Sequence, residues 1–87
     1  VQFFNFSKMS NKSIRRNLYK VLRKTGVPRD RITTDSSFSY DLMMDEVDMT
    51  CFLFYLETKF NVEIDNESLQ NIKTVQSTIN YLEKNCA

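Results

Sequence analysis

The sequence predicts a small all-α domain, an antiparallel four-helix bundle in which the third helix is short. Apolar residues recur at helical spacing in two stretches, one early in the chain and one near its end. Residue types that favour helix termini flank these stretches. One glycine and one proline leave little material for linkers, so we expect one domain.

The first helix is predicted over residues 11–25. Ser10 is a suitable N-cap, and Gly26 and Pro28 are suitable residues to end the helix. Its apolar stripe recurs at i, i+4, i+7 and i+8 and consists of Ile14, Leu18, Val21 and Leu22. A long loop over residues 27–44 should follow, with four buried anchors: Val27, Ile32, Phe38 and Leu42.

A second helix should begin after Asp45 and run to about Phe60. Asp45 is a good N-cap, and Glu46 and Asp48 suit the positive end of the helix dipole. By local propensity, residues 49–56 would also suit a buried strand. The resemblance described below, together with the lack of other strand candidates, favours a helix.

The third and fourth helices are predicted near the end of the chain. A short helical turn is expected over residues 66–69. Thr74 should cap the last helix, because an apolar stripe at i, i+3, i+4 and i+7 begins directly after it. That stripe consists of Val75, Thr78, Ile79 and Leu82.

Composition indicates one globular domain of ordinary type. The 87 residues are 41% hydrophobic and 26% charged, and no apolar run is long enough to span a membrane. We expect an N-terminal extension over residues 1–9 that is disordered, a domain over residues 10–84 and a tail over residues 85–87. Alternatively, Met9 is the first residue of the native protein and the residues before it are a translated upstream stretch. With no export signal recognised, Cys51 and Cys86 are interpreted as reduced thiols of a cytoplasmic protein.

Four segments in order resemble the acyl carrier protein family. They are residues 35–42, 45–47, 60–64 and 72–76, and the spacing fits without a gap from Gly26 to Leu82. The resemblance implies the four-helix fold of that family and a role in fatty-acid, lipid or polyketide biosynthesis. It also implies that the second helix docks partner enzymes.

The prosthetic-group position departs from the family. There an Asp-Ser-Leu triplet opens the second helix, and the serine is esterified with 4'-phosphopantetheine, whereas this chain has Asp45-Glu46-Val47. A carboxylate cannot form that phosphodiester, so we expect no cofactor at Glu46. The alternatives are loss of the carrier function with partner docking retained, cargo on another residue such as Ser36, Ser37 or Ser39, or an engineered replacement. In every case Glu46 also stabilises the helix start by about 0.3–1 kcal/mol.

The outward side of the second helix is the predicted docking surface. By resemblance, its carboxylates would steer a partner that carries a basic patch, such as an acyl-transferring or ketosynthase-type enzyme, and apolar side chains would supply affinity. The predicted partner-binding residues are Asp45, Glu46, Val47, Asp48, Cys51, Phe54 and Glu57. The alternative is a solvated helix face with Phe54 packed against the loop. Met43-Met44 replaces a small pair of the family, and we expect these two side chains either to crowd the transferase or to make an adaptable apolar contact.

The resemblance also implies an interior acyl pocket. It would be lined by Leu18, Leu53, Leu56, Phe60, Ile64, Ile72 and Tyr81. A filled core is the favoured alternative, because the large side chains of Phe52 and Phe54 leave less spare volume.

Charge is divided unevenly along the chain. Residues 1–31 hold nine Lys/Arg and one acid, a balance of +8, and residues 32–87 have a balance of −7. The basic first helix could bind an anionic surface or an acidic partner, remain solvated, or pair with an acidic helix of its own or a neighbouring copy. Nucleic acid is disfavoured because Tyr19 is the only aromatic residue among these cations. We expect a monomer.

Catalysis and tight metal binding find little support in the sequence. The chain has no histidine and a single glycine, so it has neither a histidine-assisted nucleophile nor a glycine-rich phosphate loop. We therefore predict that the protein is not an enzyme and has no metal site, although the carboxylates of Asp45, Glu46 and Asp48 could bind a divalent cation weakly at the surface.

Overall fold

Three α-helices and two short 3-10 turns make up the computed structural model, which describes residues 10–85. The helices are α1 (Asn11–Lys24), α2 (Glu46–Phe60) and α3 (Val75–Asn85), and the turns are Arg29–Arg31 and Ser68–Asn71. The all-α prediction is confirmed, and the short third helix is the 3-10 turn at Ser68–Asn71, two residues later than expected. The predictions for residues 1–9 and for Cys86 lie outside the described residues.

Local capping sets the ends of α1. The Ser10 side chain accepts a hydrogen bond from the Ser13 amide, as predicted for an N-cap. At the other end Gly26 has φ +102°, and its amide donates to the Arg23 carbonyl oxygen while the Val27 amide donates to the Leu22 carbonyl oxygen. These two bonds satisfy carbonyl groups that the ending helix would leave unpaired. The helix ends at Lys24, one residue before the predicted end.

The last helix is fixed in the same local way. The Ser77 amide donates to Thr74 Oγ1 at 3.0 Å, and the Thr74 amide donates to Ser77 Oγ at 3.0 Å. Thr74 therefore caps α3 as predicted. The helix includes Asn85, one residue past the predicted end of the domain.

The core lies between α1 and the other two helices. α1 packs against both α2 and α3. It runs antiparallel to α3, because Asn11 at its start donates to Glu83 Oε2 near the end of α3 at 2.7 Å. Both predicted stripes and all four predicted loop anchors are buried. In the part of the chain that the structure describes, no helix is long and apolar enough to cross a membrane.

Candidate functional site

The long loop before α2 is tied to the start of α3. The Phe38 amide donates to the Lys73 carbonyl oxygen and the Val75 amide donates to the Ser36 carbonyl oxygen, each at 3.0 Å. Phe38 is buried, with its ring centroid 4.8 Å from that of Phe52 on α2. These contacts fix where α2 begins relative to the rest of the core.

A reciprocal capping box starts α2. The Asp48 amide donates to Asp45 Oδ1 at 2.8 Å, and the Asp45 amide donates to Asp48 Oδ2 at 3.2 Å. Both carboxylates are therefore engaged with the backbone. The expected weak cation site is not formed, because residues 10–85 contain no group of three acidic, cysteine or histidine side chains able to hold a metal ion.

Glu46 is the first residue of α2, and its side chain is exposed. By resemblance, this is the position where the family has an esterified hydroxyl. A carboxylate has no hydroxyl group to join to the phosphate of 4'-phosphopantetheine, so this position does not fit covalent attachment of that group. Its backbone oxygen accepts a hydrogen bond from Thr50 Oγ1 at 2.9 Å.

The three serines of the preceding loop differ in accessibility. Ser36 is buried, and its Oγ donates to the Arg31 carbonyl oxygen and accepts from the Thr33 amide. Ser37 Oγ accepts from the amides of Tyr40 and Asp41. Ser39 is exposed. Among the alternative attachment residues, Ser36 and Ser37 are therefore committed to the loop structure.

The Met43-Met44 pair is divided between surface and core. Met43 is 72% exposed and has φ 54°, in the left-handed region that favours glycine. Met44 is buried, and its amide donates to the Phe38 carbonyl oxygen at 2.9 Å. The expectation that both methionines crowd the approach or contact a partner is wrong for Met44, because its side chain belongs to the core.

The exposed large apolar side chains lie in one stretch of the chain. In the described residues, every large hydrophobic side chain that is exposed lies between positions 40 and 54: Tyr40 at 85%, Met43, Val47 at 69% and Phe54 at 64%. The alternative in which Phe54 packs against the loop is contradicted by its exposure. The sequence prediction missed Tyr40, whose side chain belongs to a loop without helical periodicity.

The predicted partner-binding residues are not equally free. Val47, Cys51 and Phe54 are exposed, as is Glu46. Glu57 is half-buried, and its Oε2 accepts a hydrogen bond from the Ile64 amide at 2.8 Å. Its carboxylate therefore holds the chain after α2, a role that the sequence did not predict.

The predicted pocket residues are divided between core and surface. Leu18, Leu56, Phe60 and Ile72 are buried, while Leu53, Ile64 and Tyr81 are half-buried and packed against the core. Ile72 also lines an open cleft of about 370 Å³ beside Ser39 and Met49. Tyr81 lines a different cleft, with Asn71 and Lys84. The expectation that Phe54 fills the core is wrong, whereas Phe52 is fully buried there.

Comparison with known proteins identifies relatives of this chain. Residues 20–82 match the family model described as a phosphopantetheine attachment site. The chain is 36% identical over 77 residues to the acyl carrier protein of Chlorobium phaeobacteroides, and 38% identical over 77 residues to that of Chlorobium luteolum. Each match covers 87% of this chain and 99% of the relative.

A third relative comes from a different genus. The acyl carrier protein of Thermobifida fusca is 37% identical over 76 residues, which cover 86% of this chain and 96% of the relative. The resemblance predicted from four short segments thus extends over most of the chain. It follows that the chain belongs to the acyl carrier protein family, whose members carry acyl groups and do not catalyse reactions.

Proposed function

We propose that this protein is an acyl-carrier-protein-like module that is not phosphopantetheinylated and that docks enzymes of fatty-acid, lipid or polyketide biosynthesis through α2. The observation that carries the proposal is that, among the described residues, the exposed large hydrophobic side chains all lie within residues 40–54, in the loop before α2 and the first part of α2. Exposed apolar patches of this kind mark interaction sites.

The docking surface consists of the exposed apolar side chains of this segment with the exposed carboxylate of Glu46: Tyr40, Met43, Glu46, Val47 and Phe54. Phe54 is its aromatic anchor, since aromatic residues dominate binding energy at interfaces. Asp45 and Asp48 add negative charge, although their oxygens also cap the helix. A partner with a basic patch and an apolar centre fits this arrangement.

Intact mass tests whether the protein can be phosphopantetheinylated. The protein is incubated with coenzyme A and a broad-specificity phosphopantetheinyl transferase, beside a conventional acyl carrier protein as control. We expect the control to gain one phosphopantetheine and this protein to keep its mass. A gain in mass would overturn the proposal, and fragment mapping would then identify the residue, with Ser39 as the exposed candidate.

Docking through α2 is tested on a variant that the transferase can modify, with the modification rate as the readout. Glu46→Ser restores a hydroxyl at the start of α2, and we expect the transferase to modify it. Adding Phe54→Ala should lower the modification rate by about tenfold or more, the loss typical of an interface anchor. The matched control is Gln76→Ala on α3, also exposed, which should leave the rate unchanged. Equal rates for the Phe54 and Gln76 variants would show that the α2 face is not the docking surface.

A further inference from the structure

The outer side of α1 carries a basic cleft that one aromatic residue also lines. The cleft has a volume of about 410 Å³, and Tyr19 lines it together with six exposed cations. We call these seven residues the basic face: Lys12, Arg15, Arg16, Tyr19, Lys20, Arg23 and Arg29. From Lys12 to Arg23 the face extends about 16 Å along the helix, at 1.5 Å per residue.

The charges of the basic face are not neutralised by the described part of the chain. In residues 10–85, the one side-chain hydrogen bond that the face makes runs from Arg15 Nη2 to Asn11 Oδ1, a neutral acceptor, at 3.1 Å. Residues 10–31 have a balance of +7 and residues 32–85 a balance of −7. The described part is thus neutral in sum but strongly dipolar, and neutral molecules do not repel one another by net charge.

Two other anionic partners fit the face less well. The apolar stripe of α1, which includes Leu18 and Leu22, is fully buried in the core, so the helix has no apolar face left to enter a lipid surface. Nucleic-acid strands bind on several stacking aromatic side chains, whereas Tyr19 is the single aromatic residue of the cleft.

The exposed face of α2 has the complementary arrangement. Val47 and Phe54 form its apolar part, and the carboxylates at its N-terminal end include the exposed Glu46. From Glu46 to Phe54 it extends about 12 Å along the helix, which is within the length of the basic face. Arginine, which supplies four of the six cations, is well suited to bind carboxylates through two parallel hydrogen bonds.

We propose that the basic face of one copy of this protein binds the α2 face of a second copy. The contact is heterologous, because each copy offers one face and accepts on the other, so it builds rings or open chains instead of stopping at a symmetric dimer. The proposal requires the α2 face to be exposed but does not depend on an enzyme binding it. A neighbouring copy would compete with an enzyme for that face.

The test is sedimentation velocity of the full chain in reducing buffer, which keeps the exposed Cys51 from forming disulfides. Measurements at about 20 mM and about 500 mM sodium chloride change the screening length several-fold. We expect association at low salt and the monomer at high salt. A monomer at both salt concentrations would overturn the proposal, and binding to phosphatidylserine vesicles in that case would assign the basic face to anionic lipid.

Two variants identify the faces. Arg16→Glu/Arg23→Glu reverses two of the six charges of the basic face, and Glu46→Lys reverses the exposed charge of the α2 face. All three side chains are exposed, so circular dichroism should show a folded protein. Each variant alone should raise the dissociation constant of self-association by about tenfold or more. An equimolar mixture should form a one-to-one complex and nothing larger, because each variant keeps the face that the other lacks. Self-association of either variant with an unchanged dissociation constant, or a mixture that stays monomeric, would contradict the proposal.

This test and the test of the proposed function fail independently. The intact-mass measurement does not depend on self-association, and it can be made at high salt on the monomer. An unmodified protein that does not self-associate would keep the proposed function and exclude the contact between copies. A modified protein with salt-sensitive association would exclude the proposed function and keep the contact between copies.

Discussion

Replacing Met43 with glycine should stabilise the protein. The backbone of Met43 has φ 54°, in the left-handed region. Its side chain is mostly exposed, whereas its two neighbours, Leu42 and Met44, are buried. The buried neighbours, together with the hydrogen bond from the Met44 amide to the Phe38 carbonyl oxygen, hold the chain in this conformation. The local strain is therefore imposed by core packing on both sides.

The size of the effect follows from two opposing terms. A residue with a Cβ loses roughly 1–2 kcal/mol in the left-handed region relative to its preferred conformations. Glycine avoids that loss but gives up about 0.5–1 kcal/mol more backbone entropy on folding. Loss of the exposed methionine side chain adds little. The difference lies between zero and about 1.5 kcal/mol, so we expect Met43→Gly to raise the free energy of unfolding by up to about 1.5 kcal/mol, which raises Tm by up to roughly 12 °C in a domain of this size.

Urea unfolding followed by circular dichroism measures this change. Met43→Ala is the matched control, because it removes the long side chain but keeps Cβ and so should not gain the stability. Val47→Gly is the second control, because the same new residue within exposed α2 should lower the free energy of unfolding by about 0.5 kcal/mol. A Met43→Gly variant no more stable than Met43→Ala would refute the reasoning from backbone strain.

Three further changes test the capping, the core and the turn after α2. Asp45→Ala should lower the free energy of unfolding in urea by about 1 kcal/mol, whereas Asp45→Asn, which keeps a side-chain oxygen, should retain most of it. Phe52→Ala should cost about 3–5 kcal/mol in the same assay, since the fully buried ring packs on Phe38; a loss below about 1 kcal/mol would contradict that packing. Hydrogen bonds from the backbone amide of Ser68, and then from its hydroxyl, lower the pKa of Asp65 below its ordinary value. The stability that this charged carboxyl contributes is present above its unfolded pKa and is lost as pH falls through its folded pKa. Below about pH 4, Tm should therefore depend less steeply on pH in Asp65→Asn than in the unchanged protein. An equal dependence of Tm on pH in the two proteins would argue against these hydrogen bonds.

The capped helix starts could be predicted because the interactions that define them are local. Ser10 and Asp45 each bind an amide three residues ahead, so residue type and spacing within one turn are sufficient. The same holds for the apolar stripe of α3, whose residues are one turn apart and are all buried. The family, too, was predicted from short segments whose spacing is itself part of the sequence.

The candidate site was predicted in outline but not in its details. The exposed apolar and acidic character of the α2 start follows from which side of the helix the core occupies. That Glu57 binds the Ile64 amide instead of remaining free for a partner depends on how the chain turns after Asn61, which has φ 54°. Such a contact joins residues with no common periodicity.

The sequence by itself thus determined the all-α fold, the helix starts, the buried stripes and the carboxylate at position 46, because each depends on residue type and short spacing. Only the tertiary structure decided that Met43 adopts a left-handed conformation and that Met44 enters the core. The reason is that the path of residues 27–44 is fixed by contacts with a distant part of the chain, such as the bond from the Phe38 amide to the Lys73 carbonyl oxygen. Contacts between residues so far apart in sequence leave no periodic signal in either segment.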